Sequence, residues 1–211
     1  MKFNIHTHKS TNQENVLEIV NQYPYEFDDT VQYFSIGIHP WYIDVDKTDE
    51  FLQIIENKLQ QQNCLALGEC GLDKRIETSL EIQTAVFEKQ LALAVKYQKP
   101  VILHCVSAYQ EVIEIKKRFK IEVPMIIHGF SKNWQVAKSL LDNGFYLSFG
   151  KYLLRNPELA SVFEQVPNDR FFLETDTIEE SISDVYDKAA FIKKMNVEQI
   201  IEDNFKLVFN P

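Results

Sequence analysis

Asn15-Val16-Leu17-Glu18-Ile19-Val20-Asn21 is the stretch on which the fold turns. So brief an apolar run reads equally as a strand or as a short helix, because periodicity cannot separate the two. Seven other segments have the composition of buried strands: Lys2 to His6, Val31 to Ile38, Cys64 to Leu67, Pro100 to His104, Val123 to His128, Phe145 to Phe149 and Arg170 to Glu174. Most stretches between them carry apolar residues at helical spacing, as in Phe51, Ile55 and Leu59, in Phe87, Leu91, Ala94 and Val95, and in Val136, Ala137, Leu140 and Leu141. Counting Asn15 to Asn21 as a strand gives eight strands alternating with helices, which favours a parallel barrel. Without it, seven leave an open doubly wound sheet in contention. The expected fold is α/β, a compact TIM-type (β/α)8 barrel with a shortened first βα unit, since only about nine residues separate His6 from the second strand, too few for a crossover helix.

Local signals mark several helix ends. Thr78 or Ser79 is placed to cap a helix start, Asn143-Gly144 to end a helix in the left-handed conformation, and Asn196 with Gln199 to form a capping box. The helix that follows would present Ile201, Phe205 and Val208 on one face.

The chain has 211 residues, 45% hydrophobic and 25% charged, with no repeat, low-complexity tract or Gly/Ser/Pro-rich linker, so a single domain over residues 1–211 is expected. No stretch has the apolar length of a bilayer span, and the first residues lack the apolar region and cleavage site of a signal peptide. A cytoplasmic location, with no membrane association and no obligate protein partner, is expected. Cys64, Cys70 and Cys105 form neither a disulfide framework nor a CxxC pair and read as reduced, mostly buried thiols. A net charge of -9 argues against generic attraction to nucleic acid but leaves a phosphate substrate open, because bound cations would supply positive charge locally.

All five histidines, His6, His8, His39, His104 and His128, fall at or just beyond the C-terminal ends of predicted strands, where a parallel barrel places its active site. Any one of them alone reads better as a satisfied core or surface histidine; five together do not. In His6-Thr7-His8 the imidazoles stand one residue apart, so both face one side of an extended chain and can share a metal ion. Gly68-Glu69-Cys70-Gly71-Leu72-Asp73 follows an apolar strand, and Glu69 reads equally as a solvated turn residue or as the natural bridge between two cations, because a carboxylate has two oxygens to offer. Asp73 reads either as a support for a ligand or as a turn residue. His104 and His128 close two apolar strands of the same design, and Asp176 in Glu174-Thr175-Asp176 completes the set, although that tripeptide also reads as an ordinary helix cap. Imidazoles and carboxylates in this proportion suit two divalent ions, zinc first, with manganese or magnesium as alternatives.

As a group these residues resemble the TatD-type metal-dependent hydrolases. The resemblance rests on His6-Thr7-His8, Gly37-Ile38-His39-Pro40, Gly68-Glu69-Cys70-Gly71-Leu72-Asp73, His104, His128-Gly129-Phe130-Ser131 and Glu174-Thr175-Asp176, in that order, with Glu202-Asp203-Asn204-Phe205-Lys206 similar to the family's closing helix. It implies an eight-stranded barrel, one ion held by His6, His8, Glu69 and Asp176, the other by Glu69, His104 and His128, and a phosphodiesterase acting on DNA or a small phosphodiester. It also implies that His39 faces the substrate; in the mechanism expected of such a site, Asp176 orients an attacking water and takes its proton. Lys74, Arg75 and Arg155 are candidate phosphate contacts and read equally well as surface charges. The sequence departs from the family at Asn4, where Asp is usual, at Cys105-Val106-Ser107-Ala108, where Ser-Arg-Asp-Ala is common, and at Thr177-Ile178-Glu179-Glu180, where Ala-Pro-Tyr-Leu is frequent. An amide, ester or lactone hydrolase on the same metals, or a catalytically silent metal-binding protein, are the alternative readings.

Overall fold

In a computed structural model of the chain, which describes residues 1–209, the ambiguous segment is a strand; Asn210 and Pro211 of the expected domain lie outside the described residues. The strands are β1 (Lys2–Thr7), β2 (Val16–Gln22), β3 (Phe34–Ile36), β4 (Cys64–Asp73), β5 (Val101–Val106), β6 (Met125–Ile127), β7 (Phe145–Phe149) and β8 (Phe171–Leu173). They belong to one sheet in the order β1 to β8. Together with the intervening helices this is the order of a TIM-type (β/α)8 barrel. β1 pairs in parallel with β2 and meets β8 through a parallel bridge between Thr7 and Asp176, so the first and last strands are neighbours.

The chain forms two compact units by its internal packing, Met1–Val20 with Ile126–Pro211, and Asn21–Met125. In the first, β1, β7 and β8 are backed by α4 (Trp134–Asp142), α5 (Lys151–Arg155), α6 (Pro157–Gln165), α7 (Ile182–Lys193) and α8 (Val197–Phe209). Its interior is strongly aromatic: Phe149 meets Phe163 at 4.8 Å and Phe3 stacks on Phe205 at 4.2 Å between ring centres. Asn204 of α8 donates to the carbonyls of Asn168 and Phe171, tying the closing helix to the start of β8. Ile201, Phe205 and Val208 are buried as their spacing requires. In place of a helix after β1, Glu18 of β2 gathers Ser10 Oγ, Thr11 N and Thr11 Oγ1, folding the short connection back onto the strand. The shortening extends further than the sequence indicates, since no helix stands between β2 and β3 either.

In the second unit β3, β4 and β5 are covered by α1 (Thr48–Leu59), α2 (Leu80–Tyr97) and α3 (Tyr109–Arg118). α2 starts at Ser79, whose hydroxyl accepts from Ile82 N, and buries Phe87, Leu91 and Ala94. Two glutamines share that face. Gln83 accepts from Asp73 N and donates to Asp73 O, while Gln90 accepts from Ile38 N and donates to Ile38 O. Buried amides on a helix thus satisfy the backbone where β4 ends and where the chain approaches His39. Cys64, Cys70 and Cys105 are all buried, and burial pushes the thiols of Cys64 and Cys105 up to about 12 and that of Cys70 well above its ordinary value.

Two cap expectations are refined. Gly144 adopts φ +74° after α4, as Asn143-Gly144 implies. Before α8, Asn196 accepts from Gln199 N, but the Gln199 amide reaches forward to Asp203, so only half of the capping box forms. Both halves are present at Ser181 and Asp184, ahead of α7.

β4 is buried along all ten residues, and Gly71 there has φ +139° with its Cα against the His104 carbonyl. Gly129 also has positive φ, +57°, but a Cβ there would make only ordinary contact with Glu174 Oε1, at 3.8 Å. Gly71→Ala should therefore cost more than about 2 kcal/mol, and Gly129→Ala only about 1, by urea unfolding. Equal costs would refute the close approach of β4 to β5.

Candidate metal centre

In the first unit, β1 carries His6 into the core and leaves His8 half-buried just beyond its end. Asp176 is brought to them by the backbone: its N–H donates to His6 O at 2.9 Å and its carbonyl accepts from His8 N at 3.1 Å. These bonds place Asp176 at φ +57°, a conformation that Asp tolerates better than most residues. Asp176 Oδ1 then lies 3.4 Å from His8 Nε2 and 3.8 Å from His6 Nε2. The donor atoms of all three lie within 4.8 Å of one another, a grouping that could hold a metal ion after a small inward adjustment.

His128, after β6, has its ring 4.4 Å from that of His6 and its Nδ1 3.4 Å from Glu174 Oε1. Glu174 is completely buried, and the same oxygen accepts from Gly129 N at 2.7 Å. Asn4 grips the adjacent Thr175 at both ends, donating to its Oγ1 and accepting from its N. At this position an amide supplies the donor that a carboxylate lacks, so the Asn fits its place.

In the second unit, Glu69 lies at an irregularity between β4 and β5, where Leu67 pairs with Val101 but Cys70 already pairs with Leu103. Three steps on one strand oppose two on the other, the signature of a β-bulge, and such bulges re-aim side chains. Asn21 Oδ1 accepts from Glu69 N at 2.8 Å, fixing the bulge. Glu69 Oε1 is 3.0 Å from His104 Nδ1 and 3.1 Å from His39 Nε2. These three residues form a second group with donors within 4.8 Å. Within it the roles differ. His39 Nδ1 accepts from Trp41 N, so the ring hydrogen sits on Nε2 and points at Glu69, which makes His39 a hydrogen-bond donor. His104 Nε2 faces Asp73 Oδ2 at 3.1 Å, which leaves Nδ1 on the Glu69 side to offer its lone pair.

Asp73 is therefore a support for His104. Its Oδ2 also accepts from Trp41 Nε1 at 2.8 Å, and its Oδ1 accepts from Arg75 N at 2.8 Å. Burial opposes its ionisation, but these hydrogen bonds from Trp41, Arg75 and His104 outweigh it and hold the carboxyl below its ordinary range.

The candidate phosphate contacts fare differently. Lys74 is ion-paired with Glu111, and Arg155 is bound through two nitrogens to Glu180. Arg75 is exposed. A cation absent from the sequence reading, Lys151, stands just past β7 with its Nζ 3.4 Å from Asp176 Oδ2. Its place after Gly150 at a strand's C-terminal end is the one local signal, and it becomes specific only through Asp176. Lys151 and Arg155 line an open groove of about 500 Å³ with Thr177, Ile178, Glu179 and Glu180, the segment that departs from the family.

The TatD-related DNase family model matches residues 2–210. The chain belongs to that family. Among TatD relatives it is 37% identical over 149 residues to YabD of Bacillus subtilis, named an uncharacterized metal-dependent hydrolase, covering 68% of this chain and 58% of that one. YcfH of Escherichia coli, also named a metal-dependent hydrolase, is 29% identical over 198 residues, 84% of this chain and 73% of the relative. A protein of Erwinia tasmaniensis named 3'-5' ssDNA/RNA exonuclease TatD is 30% identical over 147 residues, 67% of this chain and 56% of its own length. The chain thus spans less than two thirds of several of these relatives. The crystal structure of the TatD homologue YJJV from Escherichia coli shares the fold with a TM-score of 0.80 at 22% identity, covering 92% of this chain and 86% of that one.

If Asp73 fixes the tautomer of His104, Asp73→Asn should weaken metal binding about 10- to 100-fold in chelator competition while thermal unfolding keeps its cooperativity. Glu174→Gln should act likewise through His128. Unchanged affinity in both would show that these carboxylates serve folding alone.

Proposed function

We propose that the protein is a metal-dependent phosphodiesterase, a single barrel domain over residues 1–211 that cleaves DNA or a small phosphodiester. In this reading His6, His8, Glu69, His104, His128 and Asp176 are the ligands of two divalent ions, zinc in first place with manganese or magnesium as alternatives. The observation that carries it is the convergence of His6, His8 and Asp176, whose donor atoms lie within 4.8 Å of one another at the ends of β1 and β8. Imidazole and carboxylate together are a donor set that zinc and similar ions accept.

When bound, the ions supply Lewis acidity toward a phosphoryl oxygen and make water more acidic. The chain's own residues do the rest. Asp176 presents Oδ1 to the histidines and Oδ2 to Lys151, so it orients the attacking water and takes its proton. Glu69 serves as the second catalytic carboxylate. His39 directs its Nε2 hydrogen at Glu69 and, with substrate bound, turns it to a phosphoryl oxygen as charge grows there. Lys151 is the cation best placed for the phosphate. Arg75 offers an exposed guanidinium farther out, and Lys74 and Arg155 act on substrate by exchanging Glu111 and Glu180 for phosphate.

DNA as substrate rests on the family description and on the exonuclease name of the Erwinia relative. Among the described residues no helix is long and apolar enough to cross a membrane, and three buried thiols without disulfides fit a reducing, cytoplasmic location.

Chelation should abolish turnover of bis(4-nitrophenyl) phosphate and of oligodeoxynucleotides, and one added divalent metal should restore it. Lys151→Met should raise KM about tenfold, the loss expected for one charge-assisted hydrogen bond, with a smaller change in kcat. Cleavage of lactones or amides without any phosphodiester would replace this reading with a carbonyl hydrolase. A fully metallated protein inert on the whole panel would make it a silent metal binder.

A further inference from the structure

Three aromatic side chains beside His39 stand in water. Trp41 is 57% exposed, Tyr42 46% and Tyr25 45%. Trp41 and Tyr42 belong to the short turn of helix Pro40–Tyr42 that follows His39, and Tyr25 lies in the connection after β2, so all three are at the C-terminal ends of strands. Tyr25 stacks on Tyr23 at 5.2 Å between ring centres and meets Tyr42 edge-on at 5.9 Å. Tyr42 lies 5.6 Å from the His39 ring, and Trp41 lies 5.1 Å from His39 and 5.8 Å from His104. The group is continuous with the residues around Glu69.

Isolated apolar residues at a surface need no explanation, but a contiguous aromatic group at the rim of a polar site does. The indole N–H of Trp41 is bound to Asp73, so the ring is held in place with its polar atom satisfied and more than half of its surface open. A fixed, open ring is prepared for stacking without further loss of side-chain freedom. Electrostatics point the same way. The chain carries a charge of -9, and Lys74, the neighbouring cation after β4, is neutralised by Glu111. A polyanion arriving here finds the exposed guanidinium of Arg75 and a large aromatic surface.

We propose that Trp41, Tyr42 and Tyr25 form a stacking subsite for an unpaired nucleobase of the phosphodiester substrate. The inference rests on the phosphodiesterase reading and sharpens it: the substrate is recognised by its bases as well as its phosphates, and only bases free of a duplex reach the rings. Such stacking is sequence-tolerant, since every base has an aromatic face, and losing it typically costs several-fold to a hundredfold in affinity.

The test compares hexathymidylate with a hexameric abasic phosphodiester of the same length. Binding is measured with chelator present, and turnover separately with added manganese or zinc. Hexathymidylate should bind at least tenfold more tightly and quench the fluorescence of Trp41 in a Trp134→Phe background. Tyr42→Leu and Tyr25→Ala should weaken hexathymidylate and leave the abasic oligomer unchanged, while Trp41→Phe, which keeps a ring, should retain most of the preference. Equal binding of the two oligomers, or equal losses on both in the variants, overturns the subsite. Cleavage without base preference leaves the phosphodiesterase standing and removes the subsite; base-dependent binding without cleavage under any metal does the reverse.

Discussion

Glu69, Asp73 and Glu174 are no more than 3% exposed, and a carboxylate so far from water must be met by donors or by cations. The fold meets each with a histidine from a strand end: His104 touches both Glu69 and Asp73, and His128 faces Glu174. Backbone and tryptophan N–H groups complete the set, from Gly129, Arg75 and Trp41. This pairing determines more than charge. It fixes which ring nitrogen faces which carboxylate, and so which lone pair an ion can meet. It also explains why two glutamines of α2 are buried, since Gln83 holds the backbone of Asp73 and Gln90 the backbone before His39. A loose strand end would leave carboxylate and imidazole misaligned, at a cost borne by the buried charge.

Asp176 depends on a different device. It lies 169 positions from Thr7, yet reaches the histidines through backbone hydrogen bonds on either side of Thr7. Proximity of β8 to β1 therefore creates the His6, His8 and Asp176 group as directly as any side chain does. The early part of the chain achieves this pairing without a crossover helix because Glu18 folds the connection between β1 and β2 onto the strand. α8 then seals β8 from outside through Asn204 and the rings of Phe205 and Phe209.

The strands were legible in the sequence because their β-branched and aromatic runs are bounded by polar breaks, and the site residues because histidines and carboxylates fall where those runs end. Asn15 to Asn21 could not be decided locally; only pairing with β1 makes it a strand. Gln83 and Gln90 were invisible for a related reason. Glutamine on a helix reads as solvated, and its burial is justified only by backbone groups on distant strands. The half-formed capping box at Asn196 shows the limit of local motifs, because Gln199 has a competing partner in Asp203 one turn on. Lys151 was passed over because a lysine has no pattern of its own; its meaning comes from Asp176, which another strand supplies.

The distribution of charge constrains how such a site selects a substrate. Arg155 and Lys74 are engaged by carboxylates, and the groove beside Lys151 carries Glu179 and Glu180 where the family often has uncharged residues. On the phosphodiesterase reading, attraction to a phosphate would then come from bound cations and from Lys151 and Arg75. Distant phosphates of a long chain meet a surface of net negative sign. Affinity that depends on many phosphate contacts falls steeply with salt, whereas affinity resting on one phosphate and an aromatic surface does not.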